Sequence, residues 1–259
     1  HLFAKIEGDK GKKLLLIGHL DTVFEADSPF QTFERDGDMA YAPGGNDMKG
    51  GNVVILYALK ALHELNLLKD ANITVAYTGD EERTGKPLSI SRKDLIAAAK
   101  SSDIALGFET ATGFNNATIA RRGASGWKVE TAGKRAHSSG VFSERRGAGA
   151  IFELARILHR FYDDVRGEQY LTFNPGNLLG GTFVDYNSLK SSGTAFGKTN
   201  VVAQTAVVHG GLRFISEEQK ENARAKMRAI VANHAPSTNA TITFPDSYPA
   251  IEPTKDIKA

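Results

Sequence analysis

Four groups of acidic residues lie in the first 110 residues, and each follows a strand-like segment or sits in a glycine-rich turn. The groups are His19-x-Asp21, Asp47 within the glycine-rich segment 44–51, Asp80-Glu81-Glu82, and Glu109 after Gly107-Phe108. In open α/β sheets, ligands bind at the carboxyl ends of the strands. The spacing therefore predicts an α/β fold in which these side chains converge, as the ligands of a metal site must.

Strand-like and helix-like segments alternate through this part of the chain. Strands are predicted at 13–18, 73–77 and 103–107, and helices at 51–68 and 94–100. The first helix carries an apolar stripe of Ile55, Leu59, Leu62 and Leu65. These residues are three or four apart, which is helical spacing. Because the strands are nearly all apolar, the pattern favours a mostly parallel sheet covered on both faces.

The pattern of elements changes after Arg122. Strands are predicted at 127–131, 177–183, 201–214 and 241–244, and helices at 147–162 and 216–232. This β-α-β-β-α-β order is the ferredoxin-like arrangement of an α+β domain. The first of these helices is expected to bury Ala148, Ile151, Phe152, Ala155 and Leu158. The segment 186–199 reads as the longest loop.

The change of pattern predicts three parts. Residues 1–121 form the first part of a catalytic metal-binding domain, 122–247 form an inserted ferredoxin-like domain, and 248–259 return toward the catalytic domain. The chain begins with His1 and not with Met, which suggests a processed or truncated N-terminus.

Composition excludes several classes of protein. The chain has no cysteine, so thiolate metal sites are excluded and any metal must be held by His, Asp and Glu. A net charge of +2 without a long basic run gives no reason to expect a nucleic-acid partner. No apolar run approaches the roughly 20 residues that span a membrane. We expect a soluble protein, with a cytoplasmic or a periplasmic or secreted location left open.

Each acidic group also has a plainer explanation when it is taken alone. His19 and Asp21 point the same way on a strand, which suits a metal-ligating imidazole with a carboxylate behind it but also a buried structural pair. The glycines around Asp47 allow close approach of a metal or simply a tight turn. Glu81 and Glu82 end an apolar strand, where neighbouring acids repel one another unless cations neutralise them. The agreement of all four groups favours the metal site.

These motifs resemble those of the di-zinc amidohydrolases that include glutamate carboxypeptidases, acetylornithine deacetylase and succinyl-diaminopimelate desuccinylase. The segments that carry the resemblance are Gly18-His19-x-Asp21-Thr22-Val23, 47–51, Asp80-Glu81-Glu82 and Gly107-Phe108-Glu109. The resemblance implies that His19 and Glu109 bind one zinc, Glu82 binds a second, and Asp47 bridges both. It further implies that Glu81 is the general base, that Asp21 orients His19, and that the Asp47–Met48 peptide bond is cis.

The same resemblance extends to the second domain, which would serve as a lid and dimerisation domain. His137 would reach into the partner subunit's active site, and Asn200 and Arg213 would contact the substrate. Two positions depart from the family pattern, with Ala203 where proline is usual and Gly211 where aspartate is usual. His63, His159, His209 and His234 lack such context and read as structural or surface residues.

The resemblance also implies a further histidine ligand for the second zinc, after the inserted domain. The residues after Tyr248 contain no histidine, so a catalytic domain cut at both ends is expected. A complete site would hold two zinc ions, with cobalt or manganese as alternatives.

The motifs favour a metal-dependent exopeptidase or amidohydrolase that cleaves an amide next to a free carboxylate. Its substrate would be a small peptide or an N-acyl amino acid, and the protein would form homodimers. Two alternatives remain open at this point. One is an amino-acid N-deacylase, and the other is a truncated, non-catalytic lid and dimerisation module.

Overall fold

The computed structural model describes residues 1–188 and 190–258. The chain folds as two compact units, His1–Ala117 and Thr118–Ala259. Each unit has its own buried apolar cluster. The unit boundary lies at 117/118, near the predicted change at 121/122, and the predicted return of 248–259 into the catalytic domain stays a prediction.

The first unit is built on a four-stranded sheet. Its elements are β1 (Leu2–Glu7), β2 (Lys10–His19), β3 (Glu34–Asp36), β4 (Met39–Tyr41), α1 (Gly50–Glu64), β5 (Ala71–Thr78), α2 (Leu88–Ser91), α3 (Lys93–Lys100) and β6 (Ile104–Gly107). The sheet order is β1-β5-β2-β6, in which β2 runs parallel to both of its neighbours and β1 is antiparallel to β5. The mostly parallel sheet is as predicted. The strand β1 and the hairpin β3–β4 were not predicted.

Helix α1 packs on the first unit's sheet through only part of its predicted stripe. Ile55 is fully buried, against Leu16 and Val75 of the neighbouring strands. Leu59 packs at the edge of the same cluster, but Leu65 is 67% exposed. The predicted stripe is therefore wrong at Leu65, because the helix ends at Glu64.

The second unit has a four-stranded antiparallel sheet and two long helices. Its elements are β7 (Gly123–Gly133), α4 (Ala150–Asp164), β8 (Thr172–Gly181), β9 (Phe183–Asn187), β10 (Ser192–Phe196), β11 (Thr205–Phe214), α5 (Glu217–Ala232), β12 (Thr238–Thr243) and α6 (Lys255–Lys258). The main sheet has the order β12-β7-β11-β8. Without β9 and β10, the element order is β-α-β-β-α-β. Ser216 caps α5 by accepting a hydrogen bond from the Gln219 amide at 3.1 Å, as the capping box predicts.

Helix α4 buries a different face from the one predicted. Its buried residues are Ala150, Glu153, Leu154, Ile157 and Phe161. Ile151 and Phe152 were expected inside, but they are 45% and 58% exposed. Apolar residues occupy more than one side of this helix, so spacing alone did not identify the inner side.

Strands β9 and β10 form a hairpin where a loop was predicted for 186–199. The two strands pair antiparallel, from Asn187 opposite Ser192 to Phe196 opposite Phe183. The loop prediction is therefore wrong over half of its length, at 186–187 and 192–196. It rested on the glycine, serine and lysine content of the segment, and composition gives a weak signal for a short hairpin.

Candidate metal centre

His19 ends strand β2 and is the buried centre of the acidic groups. Its side chain is 1% exposed. The backbone holds it in place, since the His19 amide donates to Met48 Sδ at 3.2 Å and the His19 carbonyl accepts from Asn52 Nδ2 at 2.7 Å. The contacts of Met48 and Asn52 with His19 were not predicted from the sequence. Position alone could not identify them, because each acts through a contact 29 or 33 residues away along the chain.

The two ring nitrogens of His19 face different groups. Nδ1 lies 3.0 Å from the backbone carbonyl oxygen of Asp21 and 3.5 Å from its carboxylate Oδ1. Nε2 lies 3.0 Å from Asp47 Oδ1 and 3.5 Å from Glu109 Oε1. When Nδ1–H donates to the carbonyl, the Nε2 lone pair points at the acids. A histidine that binds a metal has this arrangement.

Asp47 lies in the tight turn that leads from β4 into α1. The turn begins at Gly44, whose φ of 67° lies in the left-handed region that favours glycine. A Cβ on Gly44 would come within 2.5 Å of Thr22 Cγ2. The Asp47–Met48 peptide bond is cis, as the resemblance implied. Lys49 donates to the Pro43 carbonyl at 2.6 Å and so joins the two ends of the turn.

Three side chains offer a compact set of metal ligands. Among the described residues, one ligand atom each from His19, Asp47 and Glu109 lies within 4.8 Å of the others. The histidine is buried and both carboxylates are exposed. An imidazole nitrogen with two carboxylate oxygens is a donor set that zinc accepts.

Two buried carboxylate oxygens nearby support a cation at this place. Within residues 1–188 and 190–258, Asp21 Oδ1 and Glu82 Oε1 are buried and accept no hydrogen bond. Asp21 Oδ2 does accept one, from the Glu82 amide at 2.9 Å. Buried acceptors without donors are costly unless a cation satisfies them. The residues present therefore fit a metal centre.

The carboxyl pKa values of the cluster reflect this crowding. Burial raises the pKa of Glu82, and the negative charges of Asp47 and Glu81 raise it further. Burial likewise raises the pKa of Glu109, and Asp47 and Glu81 add to that effect against the attraction of His19. Each carboxylate loses stability from its neighbours' charge, and a divalent cation would reverse that effect.

The pKa of His19 is also raised, but here the raised pKa means that the charged form is favoured. Burial alone would lower its pKa, but the hydrogen bond to Asp47, the Asp21 carbonyl and the charges of Glu109 and Glu81 together raise it. The negative potential that favours a proton on Nε2 also favours a metal cation at the same atom.

Asp80 was expected to belong to the crowded acids and does not. It pairs with the Arg92 guanidinium and accepts hydrogen bonds from Ser91 Oγ at 2.7 Å and the Gly85 amide at 2.9 Å. Burial would raise the pKa of Asp80, but these donors lower it to about 2. The expectation that three adjacent acids need metal cations is thus wrong for Asp80, which has an arginine partner from the start of α3.

A small cavity borders Asp47 and Glu82 on the side of the loop after β2. Its volume is about 230 Å³, and its apolar wall includes Val23, Phe24 and Phe30. The two phenylalanine rings pack in a T-shaped, edge-to-face arrangement with their centroids 5.0 Å apart. This wall was not predicted. The sequence signal for it was the pair of phenylalanines in the segment that follows His19 and Asp21.

The second unit brings together two of the three residues predicted to contact substrate. His137 and Asn200 lie in neighbouring segments. The Ser138 amide donates to the Asn200 carbonyl at 2.9 Å, and His137 forms an isolated antiparallel β-bridge with Val201. Both side chains are exposed. Arg213 is also exposed but lies near the far end of β11, opposite Ala124 and Thr172.

The other histidines lie outside these sites. His63, His159 and His234 are exposed. His159 pairs with Asp163 at 3.3 Å. His209 is half-buried and stacks on Tyr186.

A family match decides what this site belongs to. Residues 15–252 match the model of "Peptidase family M20/M25/M40". The chain belongs to this family. The match includes His19, Asp47, Glu82 and Glu109 and runs through most of the second unit, so one family accounts for both units. The described residues contain no helix long and apolar enough to cross a membrane.

The chain is similar to a carboxypeptidase and to a desuccinylase. Carboxypeptidase G2 of Pseudomonas sp. (strain RS-16) is 29% identical over 260 residues, which cover 93% of this chain and 57% of the relative. A probable succinyl-diaminopimelate desuccinylase of Staphylococcus aureus is 24% identical, over 95% of this chain and 63% of the relative. The chain thus spans about 57–63% of the length of these relatives.

Solved structures share the fold. Aminopeptidase PepT from Bacillus cereus aligns with a TM-score of 0.69 and 17% identity, over 96% of this chain and 62% of that structure. The Bacillus subtilis YXEP protein, described as a dinuclear metal binding peptidase from the M20 family, aligns with a TM-score of 0.58 and 11% identity. The latter alignment covers 96% of this chain and 61% of that structure.

Proposed function

We propose that the protein is a metal-dependent amidohydrolase of the carboxypeptidase type, which cleaves an amide bond next to a free carboxylate. The observation that carries this proposal is the cluster of His19, Asp47 and Glu109, together with the unpartnered carboxylate oxygens of Asp21 and Glu82, in a chain of the M20 peptidase family. The similarity to a carboxypeptidase supports the substrate class.

The proposed metal ligands are His19 and Glu109 for one zinc ion, Glu82 for a second, and Asp47 between them. The short distances within the trio support the first ion, and the raised pKa of Glu82 supports a cation beside it. When bound, such a pair of ions polarises the substrate carbonyl and lowers the pKa of a water molecule.

Glu81 is the proposed general base. It adjoins Glu82 in sequence, and its charge raises the pKa values of His19, Glu82 and Glu109. It therefore lies close to the cluster, yet it is not one of the three residues whose ligand atoms meet. From there its carboxylate takes a proton from the attacking water and then gives that proton to the leaving amine nitrogen.

Asp21 is a proposed positioning residue. Its backbone carbonyl accepts from His19 Nδ1, which fixes the ring, and its carboxylate accepts from the Glu82 amide, which fixes the following loop. One residue thus supports a ligand of each proposed zinc ion. Removal of such outer-shell partners typically lowers metal affinity or activity about 10–100-fold.

Each unit has its own proposed substrate contacts. The cavity of about 230 Å³ beside Asp47 suits an apolar side chain of the substrate, because Phe24 and Phe30 line it. His137, Asn200 and Arg213 are the proposed polar contacts. Arg213 can hold a substrate carboxylate in a bidentate pair, and His137 can donate to the oxyanion that forms on the carbonyl oxygen.

A homodimer through the second unit is also proposed. The outward side of α4 exposes Ile151 and Phe152, and the Phe152 ring contacts the exposed Phe142 ring with centroids 5.5 Å apart. Helix α4 packs beside β8, which is an edge strand of its sheet. An apolar helix face next to an open strand edge suits a symmetric interface.

An amino-acid N-deacylase is the second candidate, because the desuccinylase aligns over 95% of this chain. The two candidates share the metal centre and differ in the acyl group that is removed. Hydrolysis of N-acyl glutamates and dipeptides by the full-length protein distinguishes them by the ratio of kcat/KM values.

The test of the function measures zinc content and hydrolysis together. EDTA should abolish hydrolysis and added zinc should restore it. His19→Ala should lose both metal and activity, while the matched control His159→Ala should keep both, because His159 is an exposed histidine on α4. Full activity of the His19 variant without bound metal would refute the proposal. Absence of both hydrolysis and bound metal in the unmutated full-length protein would instead favour the non-catalytic module.

A further inference from the structure

A second, larger cavity lies within the second unit, between its main sheet and the β9–β10 hairpin. Its volume is about 930 Å³, near the upper end of the range for small-molecule sites. Strands β7 and β11 form its floor, and Val184, Asp185 and Tyr186 of β9 contribute to its wall. None of its lining residues belongs to the proposed metal centre or to the three proposed substrate contacts.

Two polar atoms on the floor have no partner in the described part of the chain. His209 Nε2 and Thr205 Oγ1 are buried and make no hydrogen bond. Both residues lie on β11, four positions apart, so they share a face of the sheet with Val207 between them. We call these two residues the anchors. At about 3.3 Å per residue along the strand, the two anchors are about 13 Å apart. A single ligand that satisfies both must be elongated.

His209 is held as a neutral, oriented ring. Tyr186 stacks on it with ring centroids 3.9 Å apart and an interplanar angle of 19°. Burial lowers the pKa of His209, and the nearby Lys128 charge lowers it further against the opposite effect of Glu130. A neutral imidazole has one N–H and one lone pair, so Nε2 can bind a carboxylate or an amide.

A charge pair lies beside this ring. Lys128 of β7 is directly opposite His209 of β11 in the register, and Glu130 is opposite Val207. Lys128 Nζ lies 2.7 Å from Glu130 Oε1. Since an ammonium has three donors, Lys128 retains hydrogen-bonding capacity for a ligand. A carboxylate at this end of the cavity would meet both the ammonium and the imidazole.

The wall of the cavity adds backbone groups. Strand β9 pairs with β10 along one edge, and among the described strands none pairs with its other edge. An open edge offers alternating N–H and C=O groups, which an extended peptide can pair with. An extended chain spans at most about 3.3–3.6 Å per residue. About four residues therefore cover the distance between the two anchors.

We propose that this cavity binds a short extended peptide of about four residues, with its free carboxylate at Lys128 and His209 and its other end at Thr205. The site is independent of the proposed metal centre, and the proposal does not depend on the protein's being a hydrolase. The ammonium of Lys128 lies at the His209 end of the floor and the carboxylate of Glu130 lies opposite Val207, toward Thr205, an order of charges that matches a zwitterionic peptide with small side chains.

The test is calorimetric titration of the full chain with L-alanyl-L-alanyl-L-alanyl-L-alanine in buffer that contains EDTA. EDTA prevents metal-dependent hydrolysis and removes metal-dependent binding. Saturable binding at one site per chain is expected. The C-terminal amide of the same peptide should bind at least about tenfold more weakly, because the lost carboxylate interaction exceeds about 1.4 kcal/mol.

Matched variants locate the binding. His209→Phe keeps an aromatic ring against Tyr186 but removes Nε2, and Lys128→Met removes the ammonium. Each should weaken binding at least about tenfold, while His159→Phe, at an exposed histidine on α4, should not change it. Thermal unfolding of each variant should match that of the parent chain, and a variant that fails this check is replaced by Thr205→Val.

Three outcomes would overturn the proposal. One is the absence of saturable binding. Another is equal binding of the amide and the free acid. The third is binding that His19→Ala abolishes and His209→Phe leaves intact, since that pattern locates the peptide at the metal centre. The third outcome leaves the proposed hydrolytic function unaffected, so the two proposals fail separately.

Discussion

The imidazole Nε2 of His19 lies 3.0 Å from the carboxylate Oδ1 of Asp47, although the two residues are 28 positions apart and only the histidine is buried. His19 ends strand β2, and Asp47 lies in the turn before α1. Glu109 completes the group from the loop after β6, which pairs in parallel with β2. Three elements that are well separated in sequence thus bring the candidate metal ligands together, and these ligands can be tested individually.

Substitutions of Glu81 and of Glu82 should impair the enzyme in different ways. Glu81→Gln in the full-length protein should keep its zinc while kcat falls by roughly 10²–10⁴-fold, which is the usual effect of losing general acid–base catalysis. Glu82→Gln should lose zinc, because it removes a proposed ligand. Zinc analysis and single-substrate kinetics check both. Near-normal turnover in Glu81→Gln, or zinc loss confined to it, would exchange the two assignments.

The 259-residue chain itself should bind about one zinc ion firmly. By the proposed assignments, one ion would be held by His19, Asp47 and Glu109, whereas the second would have only Asp47 and Glu82. Catalytic zinc typically has three protein ligands. Atomic absorption after dialysis measures the ratio, and Glu109→Gln should lower it more than Glu82→Gln does. Two firmly bound ions per chain would mean that another residue of the chain is a ligand.

An ion pair in the second unit should make stability depend on pH. Buried Arg224 donates to Ser125 Oγ at 2.6 Å and to the exposed carboxylate of Asp246, and the hydrogen bond from Arg224 lowers the pKa of Asp246. A lowered carboxyl pKa gives stability that is present above the ordinary value of 3.8 and is lost as the pH falls through the folded-state pKa.

Asp246→Asn should therefore reduce the free energy of unfolding by about 1 kcal/mol at pH 7. The difference from the parent chain should shrink below pH 4 as Asp246 becomes protonated. Urea unfolding at several pH values measures this difference. The matched control is Asp163→Asn, which breaks the exposed pair with His159. A constant difference between pH 7 and pH 3 would rule out an effect of Asp246 ionisation.

The parts of the fold that followed from the sequence are those that depend on local pattern and strand order. His19, Asp47, Glu82 and Glu109 were identified because they come after apolar strands or in a glycine-rich turn, and the strands of a parallel sheet end at one edge. The Asp80 partner could not be identified in this way. Arg92 is 12 residues away, and only the packing of α2 and α3 brings it back to that carboxylate.

The inner side of α4 shows a second limit. Periodicity favoured Ile151 and Phe152, but the helix also buries Glu153, which accepts from Arg156 at 2.6 Å and from the Ala235 amide at 3.2 Å. A buried glutamate is uncommon, and its partners come from the same helix and from a distant loop. The buried side is itself an apolar stripe of Ala150, Leu154, Ile157 and Phe161, so tertiary packing, including the hydrogen bonds of Glu153, decided between two apolar sides of the helix.

The last prediction tests whether His137 acts across a dimer. In a symmetric dimer each active site would receive the histidine of the partner subunit. Full-length Glu81→Ala and His137→Ala homodimers should then both be nearly inactive. A mixed dimer would combine both defects in one site and leave the other site intact.

Free exchange of equal amounts makes about half of the dimers mixed, each with one intact site of two, so about a quarter of the parent activity should return. The measurement is hydrolysis after mixing the two variants, with subunit exchange verified by mass-tagged chains. A mixture of Glu81→Ala with Glu81→Gln is the control and should recover nothing. If proven exchange restores no activity in the test mixture, then His137 serves its own subunit or has no part in catalysis.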